Sequence, residues 1–238
     1  MKRILQKLIA ESGYCSRRAA EELINRGQVK LNGVLAKPGD MADDDDKVKV
    51  RGQVIGAPRE KVYIKMNKPI GYTCTNRQFK GEKNIFELAE SLPSGVFTIG
   101  RLDKNSRGLI LITNDGDLTL KLTHPRHAHE KVYEIKVRSD VTDLSAQKAK
   151  EVFIKGVPFN EDEGIAKAKK VDYLGEGFFR LVLCEGKKRQ IRRMFEWAGL
   201  RVIDLKRVSF AGLELGSLPE GKWGYLNKAE IERLKKLA

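Results

Sequence analysis

A chain of 238 residues, 41% of them hydrophobic, is long enough for one large domain or two unequal ones and can bury a sizeable core. Lys and Arg number 46 against 32 Asp and Glu, a formal net charge of +14, which favours a nucleic-acid partner over a merely soluble basic protein. No apolar run approaches the ~20 residues that span a bilayer, MKRILQKLIAES is too broken by polar residues for a secretory leader, and Cys15, Cys74 and Cys184 are scattered as free thiols in a reducing cytoplasm would be.

Residues 1–48 read as a separate small module. Ile4, Leu5, Leu8 and Ile9 recur at helical spacing, and Gly13 breaks that helix. Ser16 is an N-cap for a second helix, Arg17 to Arg26, whose apolar face is Ala19, Ala20, Leu23 and Ile24. Gly27 ends it, Val29-Lys30-Leu31 alternates as a strand, and Asn32-Gly33 signals a hairpin turn. Ser16-Arg17-Arg18, Leu23-Ile24, Gly27, Val29, Leu31-Asn32-Gly33 and Pro38-Gly39-Asp40 together resemble the S4 (αL-type) RNA-binding domain. That resemblance implies one basic face for RNA phosphates, made by Lys2, Arg3, Lys7, Arg17, Arg18 and Lys30 beside Ser16. The alternative is an ordinary solvated helix face.

Asp43-Asp44-Asp45-Asp46-Lys47 matches a protease-recognition sequence, but it lies inside the module, before Val48-Lys49-Val50. It reads as a solvated turn that four carboxylates keep away from RNA. Residues 49–60 are expected to be a linker, and 61–238 a larger α+β domain with a mixed, mostly antiparallel sheet and flanking helices. Strands are expected at Val62–Met66, Val132–Val137 and Phe178–Cys184. Helices are expected at Ile85–Leu92, Leu144–Phe153 and Lys188–Ala198, the last ended by Gly199. Asn227-Lys228-Ala229-Glu230 opens a final basic helix with a capping box.

The segment Gly100–Gly116, GRLDKNSRGLILITNDG, joins a charged turn to the apolar run Leu109-Ile110-Leu111-Ile112, a buried strand, and closes on the turn signal Asn114-Asp115-Gly116. Asp103 is therefore expected in a polar loop packed against the core. Alone, an Asp in such a loop is most often a turn former. Its context is a set of four motifs in order: Asn67-Lys68-Pro69-Ile70-Gly71, Gly100-Arg101-Leu102-Asp103 with Gly108-Leu109, Lys131-Val132-Tyr133, and Glu185-Gly186-Lys187-Lys188-Arg189-Gln190-Ile191-Arg192-Arg193-Met194. This set resembles the RNA pseudouridine synthases, in the branch that acts on ribosomal RNA and carries an N-terminal S4 domain. The DKxSxGL form and the tail Gly221–Leu226 are most similar to the bacterial large-subunit (23S rRNA) F type.

The resemblance implies isomerisation of uridine to pseudouridine with no metal and no redox cofactor. Asp103 is then the catalytic carboxylate, as nucleophile at C1′ or base at C2′. Arg192 pairs with it and keeps it ionised. Tyr133 packs on the base and helps remove the C5 proton. The target uridine must be flipped out of its stack. Arg189 shares a helix face with Arg192 or Arg193. Lys187, Lys188 and Arg189, with Gln190 and Arg193, would form a phosphate site at a helix start, and Lys68 and Arg101 are further RNA contacts. The implied partner is ribosomal RNA, or a large-subunit assembly intermediate, met by a cytoplasmic monomer away from membranes. Rival readings are a synthase for small-subunit rRNA or tRNA, and a non-catalytic RNA-binding assembly factor. His124, His127 and His129 cluster, but a zinc site needs a fourth ligand; a polar loop is the better reading.

Overall fold

The computed structural model describes residues 2–75, 80–88, 92–138, 141–160 and 162–237. The chain forms two compact units, Met1–Val62 with Pro93–Val96, and Tyr63–Leu92 with Phe97–Ala238.

In the small unit, α1 (Leu5–Glu11) and α2 (Arg17–Asn25) pack over a four-stranded antiparallel sheet in the order Val34–Leu35, Val29–Leu31, Val48–Val50, Gln53–Val54. Ser16 Oγ accepts from Ala19 N at 3.2 Å and so caps α2. Leu5, Leu8 and Ile9 of α1 meet Leu23 and Ile24 of α2 above Val29, Val48 and Val50. Asn32 and Gly33 both take positive φ, 51° and 88°, as a two-residue hairpin turn requires. The segment expected as linker does more than connect. Val48–Val50 pairs with Val29–Leu31, and Gln53–Val54 adds a further strand, so the module's sheet runs past residue 48. Residues 43–46 form a turn knotted by their own backbone, with Asp43 N donating to Asp46 Oδ2 at 2.9 Å.

The large unit is built on a nine-stranded mixed sheet. Its central order is Lys170–Gly175, Phe178–Leu183, Lys131–Val137, Val202–Phe210, Arg107–Thr113, Tyr63–Lys68, Trp223–Tyr225. The Arg107–Thr113 and Val202–Phe210 strands are parallel; the other pairs are antiparallel. Leu109 to Ile112 are at most 1% exposed, so this strand is buried on both faces. Each such side chain stabilises by roughly 1.5–3 kcal/mol relative to exposure, which makes the strand a rigid base for the loop preceding it. The helices are α3 (Gly116–Thr123), α4 (Asp143–Lys155), α5 (Gln190–Trp197) and α6 (Lys228–Lys236). The capping box that opens α6 is formed, Asn227 with Glu230.

Three expectations change. Asn114-Asp115-Gly116 is not only a turn: Asp115 caps α3 by accepting from Leu118 N at 3.1 Å. Residues 85–88 of the expected Ile85–Leu92 helix form a turn, and 89–91 lie outside the described residues. Finally, α5 starts at Gln190, because Arg189 sits in the left-handed region at φ 51°. Among the described residues, no helix is long and apolar enough to cross a membrane.

Candidate active site

The loop from Arg101 to Ser106 lies between the Phe97–Ile99 and Arg107–Thr113 strands, which pair with each other. Its inward residues are Leu102, 8% exposed, and Ser106, 2% exposed. Asp103 points outward and is exposed rather than packed against the core. The loop's rigidity comes from its backbone. Lys68 is fully buried, and its ammonium donates to Ser106 O at 2.6 Å, Pro69 O at 3.0 Å and Asp103 O at 3.2 Å. Gly71 N donates to Lys104 O at 2.8 Å, and Ser106 N to Asp103 O at 3.0 Å. Cys74 Sγ accepts from Leu102 N at 3.5 Å. The segment Asn67–Cys74 is thus the bed on which the Asp103 loop rests. Burial pushes the Lys68 ammonium down to about 8, against the pull of Cys74, Asp103 and Glu220; nearby Arg207 adds to the depression.

This placement corrects the expected RNA contact by Lys68. An ammonium enclosed by carbonyls inside the protein holds the loop and does not meet phosphate.

Strand register aligns a row of side chains beside the loop. Lys68 lies opposite Gly108, Gly108 opposite Arg207, Arg207 opposite Tyr133, and Tyr133 opposite Leu181. Opposite residues share a face of the sheet. Gly108 has φ +104°, and a Cβ there would stand 2.2 Å from Arg207 O, so only glycine allows this close strand approach. Tyr133 is 8% exposed.

Arg207 was not visible as a site residue in the sequence. It is 2% exposed, its Nε donates to Leu109 O at 2.8 Å, and its Nη2 is buried without a hydrogen-bond partner. Its guanidinium lies 5.2 Å from the Phe210 ring centre. Its strand buries Leu205, Arg207 and Ser209 in alternation, but Val208 takes the other face, so no apolar alternation in the sequence marks it. Lys131 is a second partly buried cation here. Its ammonium donates to His129 O at 3.2 Å, and burial, then Arg207, holds it below the usual lysine range.

Arg192 reaches the loop from α5. Its Nη2 donates to Asn105 O at 2.6 Å and its Nη1 to Val202 O at 3.3 Å, while Nε is buried without a partner. It forms no direct ion pair with Asp103; it is attached two residues further along the same loop. Burial and Arg189 disfavour its charge, and Asp103 and Asp204 favour it.

Next to Ser106, Arg107 grips Asp204 with a two-pronged fork, Nε to Oδ1 at 2.8 Å and Nη2 to Oδ2 at 2.6 Å. Its Nη1 lies 3.4 Å from Glu220 Oε2. Asp204 is held below the usual carboxylate range, chiefly by that fork.

The expected phosphate-binding cations divide into engaged and free. Lys187 donates to Glu163 O and Ile165 O, both at 2.6 Å. Arg193 pairs with Glu163 at 2.6 Å and lies 3.6 Å over the Phe159 ring. Gln190 is 4% exposed, donates to Glu185 Oε1 at 2.6 Å and accepts from Lys187 N at 3.0 Å. Lys187 and Arg193 thus tie Phe159, Glu163 and Ile165 to the start of α5, and Gln190 braces Glu185 and Lys187, so all three side chains are engaged within the protein. Arg101, Lys188 and Arg189 stay exposed, as do Lys2, Arg17, Arg18 and Lys30 of the small unit. Arg3 is instead paired with Glu11 at 2.7 Å and with Asp44, and Ser16 is spent on capping α2. Lys7 is partly buried in α1.

In the histidine group, Arg126 N donates to His124 Nδ1 and Arg126 Nε to His127 Nε2, while the His127 and His129 rings stack at 5.8 Å. Among the described residues, no three His, Cys, Asp or Glu side chains gather as a metal-ligand group.

Comparison with known proteins gives an RNA pseudouridylate synthase family model matching residues 62–197 and an S4 domain model matching residues 5–48. The chain is 37% identical to the ribosomal large subunit pseudouridine synthase B of Bacillus subtilis (strain 168), over 98% of this chain and 96% of that protein. It is 40% identical to the dual-specificity RNA pseudouridine synthase RluF of Escherichia coli (strain K12), over 98% of this chain and 78% of that one. A crystal structure of a pseudouridylate synthase superposes with a TM-score of 0.70 at 28% identity, covering 97% of this chain and 99% of its own.

Proposed function

The chain belongs to the RNA pseudouridylate synthase family and carries an S4 domain ahead of the synthase domain; on that premise we propose that it isomerises uridine in large-subunit ribosomal RNA, with Asp103 as the reacting carboxylate. The observation carrying the assignment is the loop itself. Asp103 presents an exposed carboxylate, yet its backbone carbonyl is fixed by the buried Lys68 ammonium at 3.2 Å. A free carboxylate on an immobile backbone meets the positioning demand of a reaction at a sugar carbon.

The reaction breaks the N1–C1′ bond, turns the base, forms a C5–C1′ bond and releases the C5 proton. Asp103 acts on the ribose, as nucleophile at C1′ or base at C2′. Tyr133, in the row beside the loop, gives the detached base a flat surface and a phenolic oxygen for proton handling. Arg192, already attached to the loop at Asn105 O, supplies positive charge beside Asp103. The uridine has to leave its stack first, at a cost of a few kcal/mol. Exposed Arg101, Lys188 and Arg189, with Arg17, Arg18 and Lys30, supply phosphate contacts that offset that cost.

Ribosomal RNA as substrate is supported by the 37% identity to the large-subunit synthase B. The 40% identity to a dual-specificity RNA pseudouridine synthase supports a second RNA as a further substrate. A cytoplasmic location is proposed, supported by three free thiols; the proposed form is a monomer. Incubating the protein with 23S rRNA, 16S rRNA and tRNA transcripts separately, then digesting to nucleosides and chromatographing them, checks the substrate. Pseudouridine is expected from 23S rRNA; its appearance only in 16S rRNA or tRNA would reassign the target.

A further inference from the structure

Arg192 stands between two carboxylates. Asp103 lies on the loop that Arg192 holds through Asn105 O at 2.6 Å. Asp204 lies two residues beyond Val202, whose carbonyl accepts from Arg192 Nη1 at 3.3 Å. The charged groups that bear on Arg192 are Arg189 on its own helix, Asp103 on the loop and Asp204 on the strand. Arg192 Nε is buried with no partner, so this guanidinium retains a donor to satisfy. Residues two apart on a strand share a face, so a mobile Asp204 carboxylate beside Val202 would compete for that donor, since a charge-assisted bond is roughly twice as strong as a neutral one.

Asp204 does not take it because the fork from Arg107 holds its carboxylate turned to the Arg107 guanidinium instead. Arg107 covers Oδ1 at 2.8 Å and Oδ2 at 2.6 Å in fork geometry. The pair is about three-quarters buried on the Arg107 side, where water screens it little. We infer that Arg107 is a positioning residue: by fixing the orientation of the Asp204 carboxylate in its fork it reserves Arg192 for the catalytic loop. The inference rests on the reading of Asp103 and Arg192 given above and extends it to a residue outside the reacting centre. Glu220, Arg107's other neighbour at 3.4 Å, is more exposed and is not among the groups that bear on Arg192.

The roles separate in three variants, Arg107→Met, Asp204→Asn and the double substitution, compared with the unsubstituted protein for release of tritium from C5-labelled rRNA at saturating RNA. Arg107→Met frees Asp204 to capture Arg192, and kcat is expected to fall roughly tenfold or more, with KM little changed, the size of coupling seen within one ion-pair network. Asp204→Asn also breaks the fork but leaves no competing anion, so its kcat stays near the parent's. The double substitution is expected to regain what Arg107→Met lost. If the fork merely braces two strands, or if Arg107 binds RNA, the double variant stays as slow as Arg107→Met, and the inference is overturned. Full activity in Arg107→Met overturns it equally. Thermal melting of each variant shows whether the fold survives. No release by the unsubstituted protein would remove the proposed reaction itself, and this inference with it.

Discussion

Lys68 carries a charge into the protein interior and turns it to use. Its three short contacts to carbonyls require three N–H donors, which only the protonated amine has. With its value pushed down from 10.5 to about 8, the amine loses a donor in a mildly alkaline range. The sign for stability is opposite to the sign for activity. Between about 8 and 10.5 the unfolded chain holds a proton that the folded chain has released, so this group's contribution to stability rises with pH and fades as pH falls towards 8. Activity should instead fall on the alkaline side with an apparent value near 8, as the loop loses a tether, while melting shows no matching drop from this group. Lys68→Met removes the tethers altogether, and kcat should fall by about a hundredfold, as expected for a reacting group displaced by an ångström or so. Wild-type kcat in that variant would end the cage account. Gly108→Ala should destabilise by at least about 1–3 kcal/mol in chemical denaturation, from the strained φ and the clash with Arg207 O together. At this scale the sequence named the residues better than their roles. Asp103, Tyr133 and Arg192 were marked by motif. The burial of Lys68, Gln190 and Arg207 depends on what packs over them, which no local pattern of charged residues reveals.

Elements with a cap and a full apolar face were legible: α2 from Ser16 and Leu23-Ile24, α6 from Asn227 and Glu230, and the Arg107–Thr113 strand from its uninterrupted aliphatic run. The missed element, α3, has only Leu118 and Leu122 as buried residues, too few to show helical spacing, and its cap residue Asp115 was absorbed into a turn signal. Two-residue strands such as Gln53–Val54 carry no periodicity at all, which is why the module's edge was taken for linker. The start of α5 was misplaced because Lys188 and Arg189 look helix-compatible, whereas Arg189 turns left-handed and Gln190 Oε1 accepts from Lys187 N. The consequence is that Lys188 and Arg189 lie exposed in the turn before α5 rather than on the helix. In the small unit, α2 presents Arg17 and Arg18 to solvent at its first turn. Replacing both with Ala should weaken RNA binding and reduce the salt slope by up to about 2, with kcat at saturating RNA unchanged. An unaltered affinity across a salt titration would remove α2 from the RNA interface.

For the whole molecule, a net charge of +14 sets the conditions under which it works. Association with RNA should weaken steeply with salt, since each neutralised phosphate releases counterions. The acidic turn at residues 43–46 is tied back by Arg3 and Asn32, so its charge is partly answered within the chain. Two units with separate cores fit a division of labour, one for holding RNA and one for chemistry. The central claim, a synthase whose reacting group is Asp103, is tested most directly by tritium release from C5-tritiated 23S rRNA under single-turnover conditions, with the protein and its Asp103→Asn variant side by side. The account predicts stoichiometric release by the protein and none above background by the variant, with RNA affinity retained in both. Release by Asp103→Asn at the parent's rate would contradict it.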